Sequence, residues 1–444
     1  MKRDLTTGSV TKTMLIFALP MILGNVLQQC YNLADTWIVG KYLGTGALGA
    51  VGSAYTLMTF LTSLIIGMCM GAGALLSISC GRRAYDAMRE YLASAFVLIL
   101  AITAALTGVS FVLLDSILHW MQTPADVYEL MHDYVRVILV GLPFIFLYNY
   151  YAFFLRSVGN SLVPLIFLGI STVVNIGLDV LFVAGFQRGV AGAAEATVIA
   201  QILAGVGIAG YSLLREPLSR PGKGARVRPA TLVSILTYAA ATGAQQSVMN
   251  FGILMVQGLV NSFGTAVMAA FAAGVKIDTL AYMPAQEFGN AYSLFISQNY
   301  GAGNTRRIQA GTRSAIVLVI GFCALVSAGV WLLAPNLMGI FIQEQETQAL
   351  AVGVRYLRIE GACYVGIGML FLLYGYFRAV GRPRISLVLT IISLGTRVAL
   401  AYGFAPLWGV EAIWWAIPIG WALADITGLV LQKIPATASQ EKIA

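Results

Sequence analysis

The sequence predicts an all-α integral membrane fold, with twelve transmembrane helices in two pseudo-symmetric six-helix lobes. Three observations predict it. Hydrophobic residues make up 59% of the 444-residue chain and charged residues 10%, whereas soluble globular chains run near 25% charged. Apolar runs of helical length recur twelve times. Residues of the first half return in the second at a nearly constant offset.

The composition sets the class. With a mean hydropathy of +0.81, a chain this long cannot cover itself with a water-facing surface. That excludes a soluble enzyme, a disordered protein and a nucleic-acid binder. The formal charge of +8 then belongs to loops that flank a membrane. Cys30, Cys69, Cys80, Cys323 and Cys363 all fall within or beside apolar runs, without a CxxC or metal-type spacing, and read as buried free thiols. His119 and His132 flank an acidic loop without an HExxH spacing. The first apolar stretch is followed by many others, so it reads as a span rather than a cleaved leader.

A helix needs about 20 apolar residues to cross a bilayer. Such stretches lie at 14–39, 52–80, 92–114, 134–156, 162–184, 190–214, 231–262, 266–299, 313–334, 355–378, 385–405 and 410–433. They are too long and too uniformly apolar for barrel strands, which alternate in polarity over about ten residues. With the N-terminus inside, 20 of the 27 Lys and Arg fall on inner segments. Among them are Lys2, Arg3, Lys12, Arg82, Arg83, Arg156, Arg306, Arg307, Arg378 and Lys442. Asp115, Asp126, Glu129, Asp133, Glu344, Glu346 and Glu411 fall on outer ones. The positive-inside rule therefore places both termini in the cytoplasm.

The basic, Pro/Gly-rich segment REPLSRPGKGARVRPA is the one long linker. It divides the chain into an N-terminal lobe at 1–214, a cytoplasmic linker at 215–230 and a C-terminal lobe at 231–444. Tyr134, Arg136, Arg156, Val158 and Gly159 recur as Tyr356, Arg358, Arg378, Val380 and Gly381, each 222 residues on. Gly44, Gly81 and Ser94 recur as Gly264, Gly301 and Ser314, each 220 residues on. Two units with an even number of spans keep the same orientation, which is a parallel-repeat transporter plan with a substrate cavity between the halves.

Ionisable groups within spans mark functional candidates, because an Asp at a helix centre costs about 2.5–3.5 kcal/mol to insert. The first span carries Asn25, Gln28, Gln29, Asn32, Asp35 and Thr36 on one helical face. A stripe of that kind must face protein or water. Pro20, just before it, removes a backbone hydrogen bond and lets the helix bend. In the fifth span Asn175 and Asp179 stand four apart on one face, and the sixth carries Thr197. If these groups meet Asp35, two carboxylates, an amide and a hydroxyl share one site. Two such acids in low dielectric cannot both ionise cheaply, so one takes a proton; alternatively, the same hard oxygens hold Na+.

The second half has no acids at the matching positions, which are Met255 and Ala401. The seventh span instead offers Gln245, Gln246, Asn250, Gln257 and Asn261, and the eleventh offers Arg397 opposite Asn175 in the repeat. Gln28, Asn32, Gln246, Asn250, Gln257 and Arg397 are read as lining the substrate cavity. The eighth span holds Lys276, Asp278 and Glu287. Glu287, which follows Pro284, is a candidate second coupling site, about three turns from Lys276 and too far for a direct ion pair. Glu195 and Glu360, near outer helix ends, read as solvated, and Asp425 as a helix-packing hydrogen bond.

These features resemble the multidrug and toxic compound extrusion (MATE) transporters over nearly the whole chain. The motifs are ADTWIVG with Asp35, FLRSVGNS at 154–161, NIGLDVLF at 175–182, GVAGAAEATVIAQ at 189–201, MPAQEFGNAYSLFISQNYGAGN at 283–304 and YFRAVGRP at 376–383. The resemblance implies that Asp35, Asn175, Asp179 and Thr197 couple cation flow to export, and that the first helix bends at Pro20. Members with a C-lobe Na+ site use acids on the seventh and tenth spans. Here Gln245, Gln246, Ile367 and Gly368 stand in those stretches, which favours coupling through the N-terminal lobe, aided by Glu287.

The function expected is export of amphipathic, often cationic, organic compounds in exchange for H+ or Na+. The partners are then drugs or toxic cations, the coupling ion and the lipid bilayer, with no nucleic acid, no cofactor and no metal beyond Na+ at Asp35, Asp179 and Asn175. The transporter is expected to act as a monomer in the cell membrane. A lipid-linked oligosaccharide flippase, or a narrow metabolite exporter, shares the two-lobed plan. The flippase would need several cavity cations, for which only Arg397 and Lys276 are candidates. An enzyme would need a metal or nucleophile constellation within the spans, and a primary pump a GxxxxGK[ST] loop; the sequence has neither.

Overall fold

The computed structural model describes residues 3–121, 123–220, 228–343 and 345–433. Residues 221–227 of the linker, Glu344, and the tail with Lys442 lie outside the described residues, as do Met1 and Lys2. Among the described residues every regular element is a helix.

The expected runs each become helical. Spans one to three are Val10–Gly44, Gly46–Gly81 and Tyr85–Val112. Span four is a bent pair, Val127–Leu139 with Leu142–Ser157, and spans five and six are Leu162–Gly185 and Gly189–Arg215. Span seven is Pro229–Asn261. Spans eight and nine are Thr265–Gly301 and Thr305–Gly339, span ten the bent pair Thr347–Gly361 with Tyr364–Ala379, and spans eleven and twelve Pro383–Trp408 and Val410–Gln432. Most exceed the apolar run that foretold them. A helix of 35 residues, such as span nine, reaches about 52 Å at 1.5 Å per residue, well beyond a hydrocarbon core of about 30 Å. Spans four and ten depart most from the expectation of single helices, bending by 44° and 49°. Pro143, in the first turn after the bend of span four, supplies no hydrogen bond to the preceding turn; span ten bends at the matching position with Val365 there instead.

The repeat extends to the backbone. Gly44 breaks the long helical segment Val10–Gly81 with φ 85° and ψ −175°, and Gly264 precedes span eight with φ 96° and ψ 174°. That conformation is open essentially to glycine alone, and the two positions are 220 apart. Arg83 and Gly303 form a second such pair at positive φ, Gly159 and Gly381 a third, and Gln187 and Gly409 a fourth. The bends at 139–142 and 361–364 also differ by 222.

The chain forms two compact units: Met1–Asp4 with Leu19–Gly243, and Leu5–Ala18 with Ala244–Ala444. In the first, span six packs against spans four and five through small residues. A Cβ on Gly205 would fall 2.7 Å from the Phe144 carbonyl oxygen, and one on Gly207 would fall 2.7 Å from the Phe167 ring.

In the second unit, span eight is the central helix, packed by spans nine and ten. A Cβ on Gly375 of span ten would stand 2.7 Å from the Gly289 carbonyl of span eight. The N-terminal segment is fastened to this unit. The Leu5 amide donates to Gln298 Oε1 at 3.1 Å. The Arg307 guanidinium donates to the carbonyls of Leu5 at 3.2 Å, Thr7 at 3.0 Å and Gly8 at 2.6 Å. Span nine, by contrast, turns Val317, Leu325 and Leu332 outward, as a helix does when lipid rather than water is its solvent.

The span eight–ten contact gives a testable expectation. Gly375→Val should lower the thermal midpoint of the detergent-purified protein, because overpacking costs about 1–3 kcal/mol. Gly329→Val, with nothing within 4 Å of its Cβ position, should leave the midpoint within experimental error. Equal melting of the two variants would refute the close approach.

Candidate functional site

Four residues expected to act together converge in the first unit. Asp35 comes from span one, Asn175 and Asp179 from span five and Thr197 from span six. Their exposures are 7%, 1%, 0% and 4%. Ser171 and Thr172 are also buried, so the polar residues of span five form one stripe at helical spacing. Asp179 ends the α-helical part of that span, and a π-helical turn, Val180–Gly185, follows it. Such turns recur at functional sites because they re-aim one side chain relative to the next.

Thr197 is the hub of the hydrogen bonds. Its Oγ1 accepts from the Tyr31 hydroxyl at 3.3 Å and from Asn175 Nδ2 at 3.5 Å. Tyr31 and Tyr134 each lie within electrostatic reach of both Asp35 and Asp179. Asp35 Oδ1, Asn175 Oδ1 and both Asp179 oxygens are buried without a hydrogen-bond partner among the described residues. Four acceptors without a donor from the described residues form a polar cluster of the kind that a proton, a water molecule or a cation satisfies. Sequence reasoning did not single out Tyr31 or Tyr134, although Tyr31 belongs to the polar stretch of span one and Tyr134 to the repeat.

The other expected residues are dispersed. Pro20 lies within continuous helix, and the conformational break of that segment is at Gly44. Gln28 is exposed, and Asn32 is half-buried and donates to Gln29 Oε1 at 3.5 Å. In the second unit Gln246 is half-buried, and Gln257 donates to Asn261 Oδ1 at 2.8 Å. Glu287 accepts from Asn290 Nδ2 at 3.3 Å. Asn290 Oδ1 in turn accepts from the buried Arg378 at 3.1 Å, and Arg378 Nε donates to Ser293 Oγ at 3.1 Å. Asn250 and Arg397 meet on the wall of a cavity of about 190 Å³.

That cavity holds the residue that sequence reasoning misplaced. Glu360 was expected in solvent at a helix end, but it is 4% exposed and lines the cavity with Asp278. The bend at 361–364 ends its helix inside the unit rather than at the surface. Asp278 Oδ2 accepts from the Tyr356 hydroxyl at 2.5 Å, and Asp278 Oδ1 accepts from the Tyr364 hydroxyl. Asp425 Oδ1, expected in a packing hydrogen bond, is buried without a partner among the described residues. All five cysteines are free, but only Cys69 and Cys323 are buried; Cys80 and Cys363 are half-buried and Cys30 is exposed. Among the described residues no group of three or more His, Cys, Asp or Glu could hold a metal ion.

Fold and site together define a multi-pass helical membrane protein of two repeated units, each with a buried polar cluster. The MatE family model matches residues 20–181 and 241–403, once in each repeat. The chain belongs to the MATE family of transporters. It is 30% identical over 392 residues, 88% of this chain and 87% of the relative, to "Probable multidrug resistance protein YpnP" of Bacillus subtilis (strain 168). It is 28% identical, over 95% of this chain and 88% of the relative, to "Probable multidrug resistance protein YoeA" of the same strain. A solved structure of a multidrug resistance MATE family transporter of the MOP superfamily, in an outward-facing conformation, superposes with a TM-score of 0.90. It does so at 23% identity, covering 99% of this chain and 98% of that one.

Asp179 carries a stability expectation. A buried carboxyl with no partner destabilises the fold it sits in, and functional sites often hold such groups at the expense of stability. Asp179→Asn should therefore raise the thermal midpoint in detergent by about 2–4 °C, the shift that goes with roughly 1 kcal/mol. A fall would mean that the carboxyl is a structural acceptor.

Proposed function

We propose that the protein is a secondary active exporter of amphipathic organic compounds, many of them cationic, driven by exchange for H+ or Na+. The observation that carries this reading is the cluster of Asp35, Asp179, Asn175 and Thr197, with four unpartnered acceptor oxygens buried in the first unit. Such a set takes up a cation when one is available and is costly when empty. Its occupancy therefore shifts a conformational equilibrium by whatever the two states differ in affinity. The names of the relatives, multidrug resistance proteins, support drugs as the cargo class.

In this reading the ion arrives from outside and binds between Asp35 and Asp179. It favours a state with low affinity for cargo, and the cargo leaves outward. Pro20 gives span one the freedom to follow. Glu287 serves as a second coupling group, tempered by the Asn290–Arg378 pair beside it. Gln28, Asn32, Gln246 and Gln257 contact cargo, whereas Asn250 and Arg397 line the smaller cavity of the second unit. Energetics allow it: one elementary charge moving inward yields about 2.3 kcal/mol per 100 mV, and each tenfold gradient of a neutral compound costs about 1.4 kcal/mol. For a monocation exchanged against one H+, the potential terms cancel and the proton gradient alone drives export. The charge distribution supports a cell-membrane location with both termini in the cytoplasm, and a monomer already contains the whole proposed coupling cluster.

Two measurements decide the reading. In cells expressing the protein, Asp35→Asn and Asp179→Asn should each slow ethidium efflux at least about tenfold, a barrier change of roughly 1.4 kcal/mol. Undiminished efflux would remove these acids from the mechanism. In liposomes, an imposed pH gradient or an imposed Na+ gradient, applied separately, should drive transport. The gradient that does so names the ion, and failure of both would refute exchange.

A further inference from the structure

The cavity of the second unit combines two buried acids with a permanent cation. Its volume, about 190 Å³, is below the roughly 300–1,000 Å³ of drug-sized pockets, so its occupant is small. Tyr282, Phe371 and Trp421 give it aromatic walls, and Asp278, Glu360 and Arg397 give it charge. Asp278 is already engaged at both oxygens by the hydroxyls of Tyr356 and Tyr364. Glu360 shares hydrogen bonds with Tyr356 and Asp278, and Arg397 lies within electrostatic reach of both acids, but one atom of each is left over. Glu360 Oε2 and Arg397 Nε are both buried without a hydrogen-bond partner among the described residues. One cavity therefore presents an unmet acceptor on an acid and an unmet donor on a guanidinium.

The repeat shows how this differs from the first unit. Tyr356 is the counterpart of Tyr134, and Arg397 is the counterpart of Asn175, each at an offset of 222. Where the first unit places a neutral amide beside its acids, the second places a permanent cation. A simple cation entering the second cavity would satisfy Glu360 but meet Arg397. A simple anion would satisfy Arg397 but meet Glu360. Each would leave one buried group unpaired, which is unfavourable away from water. A molecule with both charges satisfies both.

We propose that this cavity binds a small aromatic zwitterion. Its ammonium group sits on Glu360, its carboxylate on Arg397, and its ring against Tyr282, Phe371 and Trp421. Aromatic faces favour both a ring and a neighbouring ammonium group. The site lies within the second unit, and its test is a binding measurement that needs no gradient.

The test holds the ring constant and varies the charge. Radiolabelled tryptophan, tryptamine and indole-3-propionate are titrated against the purified full-length protein in lipid nanodiscs at neutral pH. Tryptophan should bind saturably and at least about tenfold more tightly than either singly charged analogue, a difference of roughly 1.4 kcal/mol. Arg397→Gln should abolish the advantage of tryptophan over tryptamine, and Glu360→Gln its advantage over indole-3-propionate. The wild-type series is decisive even if a variant fails to fold. Tryptamine binding as tightly as tryptophan would make this a plain cation site and overturn the proposal. So would the absence of saturable tryptophan binding, or variants that fold and leave the ranking unchanged.

Discussion

A carboxyl group held away from water must find its partners in the protein or bring them in from outside, and Asp179 has neither oxygen satisfied among the described residues. Much of the first unit follows from that constraint. Span five delivers Asn175 and Asp179 on one face, and the π-helical turn after Asp179 ends that face. Span six sets Thr197 where it takes hydrogen bonds from Tyr31 and Asn175 instead of giving one to an acid. A fold selected for stability alone would not leave this arrangement open, because apolar side chains of similar volume would serve better.

The two units solve the same packing problem with different chemistry. Their turns share backbone conformations at offsets of 220 and 222, down to the extended glycines Gly44 and Gly264. A shared tyrosine, Tyr134 in one and Tyr356 in the other, stands beside each buried acidic cluster. Yet the acids come from spans one and five in the first unit and from spans eight and ten in the second. Duplication fixed the scaffold, while the polar residues were free to move from helix to helix.

Most of the scaffold was legible in the sequence. Twelve apolar runs, a basic linker and a recurring offset carry the helical architecture, because in a membrane the span is dictated by bilayer thickness rather than by subtle propensity. The acids of the first unit were legible for the same reason, since an Asp within an apolar run has few structural excuses. Glu360 was not legible. It sits near the end of an apolar run, and only the bend at Gly361–Tyr364, absent from any hydropathy profile, turns it inward. The pairing of Glu360 with Asp278 was hidden as well, because the repeat offset points to Met255 and Ala401 instead. The lengths of the helices were underestimated, since polar turns that project beyond the hydrocarbon are still helical.

The docking of the N-terminal segment bears on how the protein is made. Leu5, Thr7 and Gly8 leave the ribosome about 300 residues before the arginine that gathers their carbonyls. At synthesis rates of roughly 5–20 residues per second, those residues wait some tens of seconds for their permanent seat. This segment thus takes its seat in the second unit only once the ninth span has begun to be made.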